Sequence, residues 1–226
     1  MSAVETTPPA RRKRGNSAGI TPARIVAAAR GLDPDNLTMQ AVADELGVDR
    51  KAVVYHVNDK EALLELLAVD AFSVHFAATV IPASADWKQA IQYYATGMKD
   101  SLVASGGLAT YFRLNSPSGV ASVQTAETVL EKMISAGFDT ETAARSLVLI
   151  TDVVMAYARD VVMNAREGGH PQKGELHRIV QTPEAGSLGA LRDLDETQFE
   201  PYDDRQFDFA INTLLRGLFP LLNEPT

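Results

Sequence analysis

Apolar positions recur at helical spacing almost from end to end of this chain. No stretch shows the alternation of period two that a half-buried strand requires. The fold class read from this pattern is all-α. Near the start, three short helices carry the same punctuation. Thr21, Thr38 and Asp49 each stand where a side-chain oxygen can cap a helix. An apolar pair brackets each cap: Ile20 with Ile25, Leu37 with Val42, Val48 with Val53. Pro22 takes the first helical position after Thr21, where its missing N–H costs nothing. The first helix is expected to stop near Gly31 and the second at Leu46-Gly47.

A fourth helix is expected from Asp59-Lys60 to about residue 78. Asp86 caps the next, which places Trp87, Ile91, Tyr94, Met98 and Leu102 on one face and ends at Gly106-Gly107. "LATYFRLN" adds one or two turns. Residues 120 to 136 form a helix stopped by Gly137, and Asp139 or Thr140 opens a long one reaching Glu167. Residues 168 to 201, rich in Gly and Pro, read as a loop with one short helix at 184 to 194. "DDRQFDFAINTLLRGLFPLL" is the last helix. The expected organisation is a disordered basic arm at 1–19, a three-helix domain at 20–60 and a helical body at 61–226.

Composition changes this picture little, but charge distribution does. Net charge is −8, yet residues 1 to 60 sum to +2 and the remainder to −10. A mildly basic N-terminal quarter on an acidic body is the asymmetry of a small nucleic-acid reader joined to a larger domain. The absence of cysteine excludes disulfides and cysteine-ligated metal. The opening lacks the apolar core of a signal peptide, and Asp152, Arg159 and Asp160 interrupt the longest apolar run. No membrane span and a cytoplasmic location are therefore expected.

Only "GVD" separates the second and third helices. A turn that short, opened by glycine, sets two helices at the steep angle of a helix-turn-helix. With Val42, Leu46, Val48 and Val53 inward, Arg50, Lys51, Ala52, Tyr55 and His56 look outward. Arg50 and Lys51 then lie in a first helical turn, where the backbone dipole disfavours cations. Phosphates and guanine edges would supply the missing negative charge; the alternative is a solvated face partly neutralised by Asp49. The run Arg11, Arg12, Lys13, Arg14 is either solvated or an arm lying along phosphates or in the minor groove.

The stretch "LTMQAVADELGVDRKAVVYHVNDKEALLELLA", 37 to 68, resembles the TetR family of bacterial regulators. It shares the threonine cap, the apolar-Ala-x-x-Leu-Gly-Val run, the aromatic-His-apolar triplet and the lysine that opens the fourth helix. In this half the likeness is greatest to the tetracycline-repressor branch of the family; it continues more weakly through "DW" at 86–87 and "AGF" at 136–138. The resemblance implies that Gln40, Arg50, Lys51 and Ala52 read bases and that Tyr55, His56 and Lys60 grip phosphate. Arginine can fork onto guanine, and alanine suits a thymine methyl. Val54 and Gln40 depart from the family's frequent tyrosine and arginine, which bears on operator sequence. The resemblance also implies double-stranded operator DNA as partner, a homodimer and a small-molecule effector, and no enzyme.

For the dimer, Val148, Ile150, Val153, Val154, Val161, Val162, Leu214, Leu215, Leu218 and Phe219 suit a seam between subunits, or an intrachain core. For the effector, the candidate residues are His75, Tyr94, Met98, Phe112, Arg113, Asn115, Asp152 and Met155. They would form an apolar pocket with a few polar groups, or core and interface. Asp152 has apolar neighbours and no base three or four residues away, so if buried, in the pocket or at the dimer interface, it needs a partner from elsewhere: Arg113, a residue of the other subunit, or a cationic ligand. Phe112 and Asp152 stand where the tetracycline-binding branch has its histidines, so neither tetracycline nor magnesium is expected. No cofactor is expected. His170 and His177, with Glu175 between them, lie in a glycine-rich stretch without fixed metal geometry. Two rivals stay open: an activator or effector-independent regulator of the same fold, and a helical carrier or enzyme. The latter leaves Arg50 and Lys51 unexplained.

Overall fold

In the computed structural model, which describes residues 19–32, 37–113, 120–182, 186–197 and 199–222, the three caps form as the sequence dictates. Thr21 Oγ1 accepts the N–H of Arg24 at 3.3 Å, Thr38 Oγ1 that of Ala41 at 3.0 Å, and Asp49 Oδ1 that of Lys51 at 2.8 Å. They open α1 (Pro22–Ala29), α2 (Met39–Leu46) and α3 (Arg50–His56). No strand occurs among the described residues.

The chain divides into two units, Met1–Leu63 and Leu64–Thr226. In the first, α2 packs on both α1 and α3. Its core holds Ile25, Val26, Leu37, Val42, Val53 and Val57, all buried. Leu46 and Val48, expected inward, are half-buried. The turn between α2 and α3 is set by Gly47, at φ 66° and ψ 32°. There the Gly47 N–H reaches Asp44 O at 3.1 Å and the Val48 N–H reaches Ala43 O at 2.9 Å, so two of the last four carbonyls of α2 are satisfied.

The second unit is built around α5 (Trp87–Ala104), which packs on α6 (Val120–Ala136), α7 (Thr140–Asn164) and α10 (Asp204–Leu218). A reciprocal capping box fixes the start of α5: Asp86 Oδ1 accepts from Gln89 N at 2.8 Å and Gln89 Oε1 from Asp86 N at 3.0 Å. A helix α4 (Lys60–Phe76) precedes it and contributes Phe72 and Phe76 to the core. A 3-10 turn, Gly106–Tyr111, follows α5. Lys99 ties α5 to α10, its Nζ 2.7 Å from Asp204 Oδ1 and 3.1 Å from Asp100 Oδ1.

Three expectations are corrected here. Residues 168 to 201 hold two helices, α8 (Pro171–Val180) and α9 (Gly189–Glu196). His170 Nδ1 caps α8 by accepting the Gln172 N–H at 3.3 Å, with Pro171 at the first position and Gly174 within the helix, so Gly and Pro here are taken up into helices and do not replace them. The long helix ends at Asn164, three residues before Glu167. Five residues assigned to a seam between subunits, Ile150, Val154, Val162, Leu215 and Leu218, are buried within their own unit. Val153, Val161 and Leu214 are half-buried, whereas Val148 and Phe219 stay 60% and 58% exposed. α7 is apolar on more than one face, so composition could not say which residues face inward.

Candidate nucleic-acid interface and ligand pocket

The outward side of the helix-turn-helix is polar and open. Gln40, Arg50, Lys51, Tyr55, His56 and Lys60 are exposed, and Ala52 is half-buried. α3 is anchored from behind by Val53, fully buried, and by Val57 just past its end. With Val53 inward, Lys51, two positions before it, falls on the far side of α3, and Arg50 is exposed at the helix start. Among the described residues neither cation, nor Lys60, has an ion-pair partner. Asp49, the nearest carboxylate in sequence, is engaged with the Lys51 backbone N–H.

Gln40 donates through Nε2 to Asp44 Oδ1 at 2.8 Å, which holds its amide along α2. The Tyr55 and His56 rings meet edge-on with centroids 5.1 Å apart, and Tyr55 is 84% exposed. A large aromatic so open to water is unusual on a small helical unit. Asp59 Oδ1 accepts from the Ala62 N–H at 2.8 Å, so the start of α4 is capped beside Lys60. Arg11, Arg12, Lys13 and Arg14 lie outside the described residues.

The body brings together half of the other candidate set. Tyr94, Met98 and Phe112 are buried in one apolar cluster, with half-buried Met155 against it. The cluster is aromatic. The Phe72 ring lies 4.4 Å from Phe112 and 4.8 Å from Phe76, and Phe76 meets Tyr94 edge-on at 6.0 Å. Its polar handle is the Tyr94 hydroxyl, 3.1 Å from Thr151 Oγ1. Burial pushes the Tyr94 phenol above the usual tyrosine range, while the Thr151 bond pulls the other way.

The remaining candidates do not converge there. His75 is exposed on α4. Arg113 is exposed and folds back, Nη1 donating to the carbonyls of Phe112 at 2.9 Å and Thr110 at 3.3 Å. Asp152 is exposed as well in the single chain, on the side of α7 opposite Ile150 and Val154, so its own unit does not bury it. Asn115 lies outside the described residues. His170 is buried and His177 is exposed, paired with Asp195 and not with each other. Phe72, Phe76 and Thr151 were not foreseen; the spacing of four between the two phenylalanines was the available signal.

The model of the family described as "Tetracyclin repressor-like, C-terminal domain" matches residues 81–221. The chain belongs to the TetR family. Within the TetR family it is similar to the tetracycline repressor protein class A from transposon 1721 of Escherichia coli, at 28% identity over 184 residues, 81% of this chain and 82% of that protein. An HTH-type transcriptional repressor of Mycobacterium tuberculosis is 24% identical over 145 residues, 61% of this chain and 56% of that one. Among solved structures, the TetR family protein ActR of Streptomyces coelicolor in complex with actinorhodin superposes with TM-score 0.69 at 23% identity, covering 92% of this chain and 99% of that one. A TetR variant from Acinetobacter baumannii AYE in complex with minocycline does so with TM-score 0.63 at 21% identity, covering 92% and 97%. At those identities the superpositions speak for the fold. This TetR-family chain is thus a transcriptional regulator, not an enzyme, with an all-α fold.

Proposed function

We propose that this regulator is a repressor, binding a palindromic operator as a homodimer and released by a small-molecule effector. The observation that carries the reading is the pair Arg50 and Lys51, exposed in the first turn of α3 without an intramolecular carboxylate partner among the described residues. Cations placed against a helix dipole are stabilised by an external polyanion, and first-turn residues are those that reach base edges. Gln40, Arg50, Lys51 and Ala52 read bases in this proposal. Tyr55, His56 and Lys60 hold phosphates, and the arm from Arg11 to Arg14 adds sequence-independent charge. One such reader spans few base pairs, so two copies are set on half-sites about 34–36 Å apart. Exposed Val148 and Leu149 on α7, with Phe209 on α10 and Phe219 just past its end, provide apolar surface for that pairing.

The effector is received among Tyr94, Met98, Phe112 and Met155, where Tyr94 and Thr151 offer a hydrogen bond in aromatic surroundings. It would be a largely apolar molecule with few polar groups. Phe72 and Phe76 occupy the last turns of α4, the helix that Lys60 begins, so a ligand that shifts these rings acts on a helix bearing a phosphate contact. A coupling of about 1–3 kcal/mol weakens operator affinity severalfold to a hundredfold. The relatives' names support the repressor reading: one is a tetracycline repressor and one a transcriptional repressor. The actinorhodin and minocycline complexes, in which proteins of this fold hold a ligand, support the reading that an effector is received.

An electrophoretic mobility shift on DNA upstream of the chain's own gene, run across a salt series, tests the reading. Binding should weaken steeply with salt and vanish in the double variant Arg50→Ala, Lys51→Ala. Affinity unchanged in that variant would remove the assignment of α3.

A further inference from the structure

The segment between α7 and α10 carries a feature that neither the DNA reader nor the aromatic cluster uses. α8 and α9 border a cleft of about 630 Å³, a size within the roughly 300–1,000 Å³ span of small-molecule sites. Its walls are apolar: Leu176 from α8, Leu194 from α9, and Phe199 and Tyr202 from the strand of chain leading to α10. Phe199 is 48% exposed and Leu194 37% exposed, so the cleft keeps large apolar side chains in contact with water. Tyr202 stacks on buried His170 with ring centroids 4.4 Å apart, which makes it a fixed wall.

The charges around this cleft do not cancel. Lys173 and Glu200 neutralise each other, Nζ to Oε2 at 2.5 Å. Asp195 is different. Its side chain is only 19% exposed, and Oδ2 lies 2.9 Å from Nδ1 of His177, an imidazole that is 67% exposed. The His177 ring engages one carboxylate oxygen, Oδ2, and leaves Oδ1 to a second donor. A largely covered carboxylate beside open aromatic walls calls for a ligand with a flat ring and a positive donor.

We propose that the cleft between α8 and α9 is a second small-molecule site, one that takes a planar aromatic amine whose protonated nitrogen meets Asp195. The site is separate from the cluster around Tyr94 and Phe112, and it does not depend on the operator reading.

The probes are 9-aminoacridine, a planar cation at neutral pH, and acridine-9-carboxylate, an anion on the same ring system. Each is titrated against the full chain, free of DNA, by fluorescence anisotropy. Saturable binding is expected for the cation, with Kd at least about tenfold below that of the anion, the signature of one charge-assisted contact. Asp195→Asn should abolish the preference. Gly174 lines the cleft, and a Cβ built there meets no atom within 4 Å, so Gly174→Trp grows into open space. That variant should weaken cation binding about tenfold or more without lowering Tm. Phe199→Ala, at a half-exposed position, is the second variant and should lose affinity severalfold. No saturable binding of 9-aminoacridine, equal affinity for the two acridines, or binding that survives both Gly174→Trp and Phe199→Ala would overturn the proposal.

Discussion

The Tyr94 hydroxyl lies 3.1 Å from Thr151 Oγ1, a single polar link between α5 and α7 in otherwise apolar surroundings. Burial raises the Tyr94 pKa in the folded chain, against the opposing pull of the Thr151 bond. A group whose folded pKa exceeds its unfolded value stabilises the fold fully below the unfolded pKa. That contribution is lost as pH rises through the folded value. Tyr94→Phe should therefore lose less stability than the parent above about pH 10. Tyr157 and Tyr202 are also raised, so the alkaline limb should flatten in part only. Thermal unfolding followed across alkaline pH checks this. Thr151→Val, which strands the buried hydroxyl of Tyr94, should cost about 1–3 kcal/mol at neutral pH.

Arg50 and Lys60 should fail differently. If Lys60 meets only phosphate, Lys60→Ala weakens every sequence alike and lowers the slope of log affinity against log salt by about 0.9. Arg50→Ala should cost about 1–3 kcal/mol and relax preference at one base pair. A panel of operator variants measured at several salt concentrations separates the two.

Gly47 is expected to resist substitution. Its backbone is at φ 66°, where a side chain costs about 1–2 kcal/mol. Gly47→Ala should lower the stability of the first unit by that amount, with operator affinity falling as the α2–α3 angle loosens. Chemical denaturation followed by circular dichroism gives the first quantity and a mobility shift the second.

Gly174 should behave in the opposite way. It lies inside α8 without a left-handed φ and with open space around a built Cβ. Gly174→Ala should therefore stabilise the chain by up to about 0.5–1 kcal/mol. An unchanged or lowered Tm would argue that α8 is not helical in solution.

Val148 is 60% exposed and neighbours Leu149, 46% exposed, on the outward side of α7. If this surface closes a dimer, Val148→Glu should convert the protein to monomer in sedimentation while leaving its helicity intact. Operator binding should fall with the dimer, because the two readers are then no longer coupled.

What could be read from the sequence follows from how local each cause is. Thr21, Thr38, Asp49, Asp86 and Asp139 act on backbone N–H groups two or three residues away, so the residues themselves announce where helices start. α8 escaped because its cap is a histidine, His170, a side chain that seldom serves in that role. The side on which Asp152 lies was not legible because its apolar neighbours along the chain point elsewhere: Ile150 and Val154 face the core while Asp152 looks out. Which side of a uniformly apolar helix turns inward is decided by the helices packed on it, and local spacing does not contain that information. The same holds for the aromatic cluster, where Phe72 and Phe76 meet Phe112 and Tyr94 from distant segments.

Within α3 Val53 alone is fully buried. On the proposed reading, anchoring and recognition therefore fall to separate positions on the same seven-residue helix. Outward residues can be exchanged for others of differing size and polarity at small cost to folding, because little in the interior touches them. A new operator preference could be selected one codon at a time, each intermediate remaining a folded regulator.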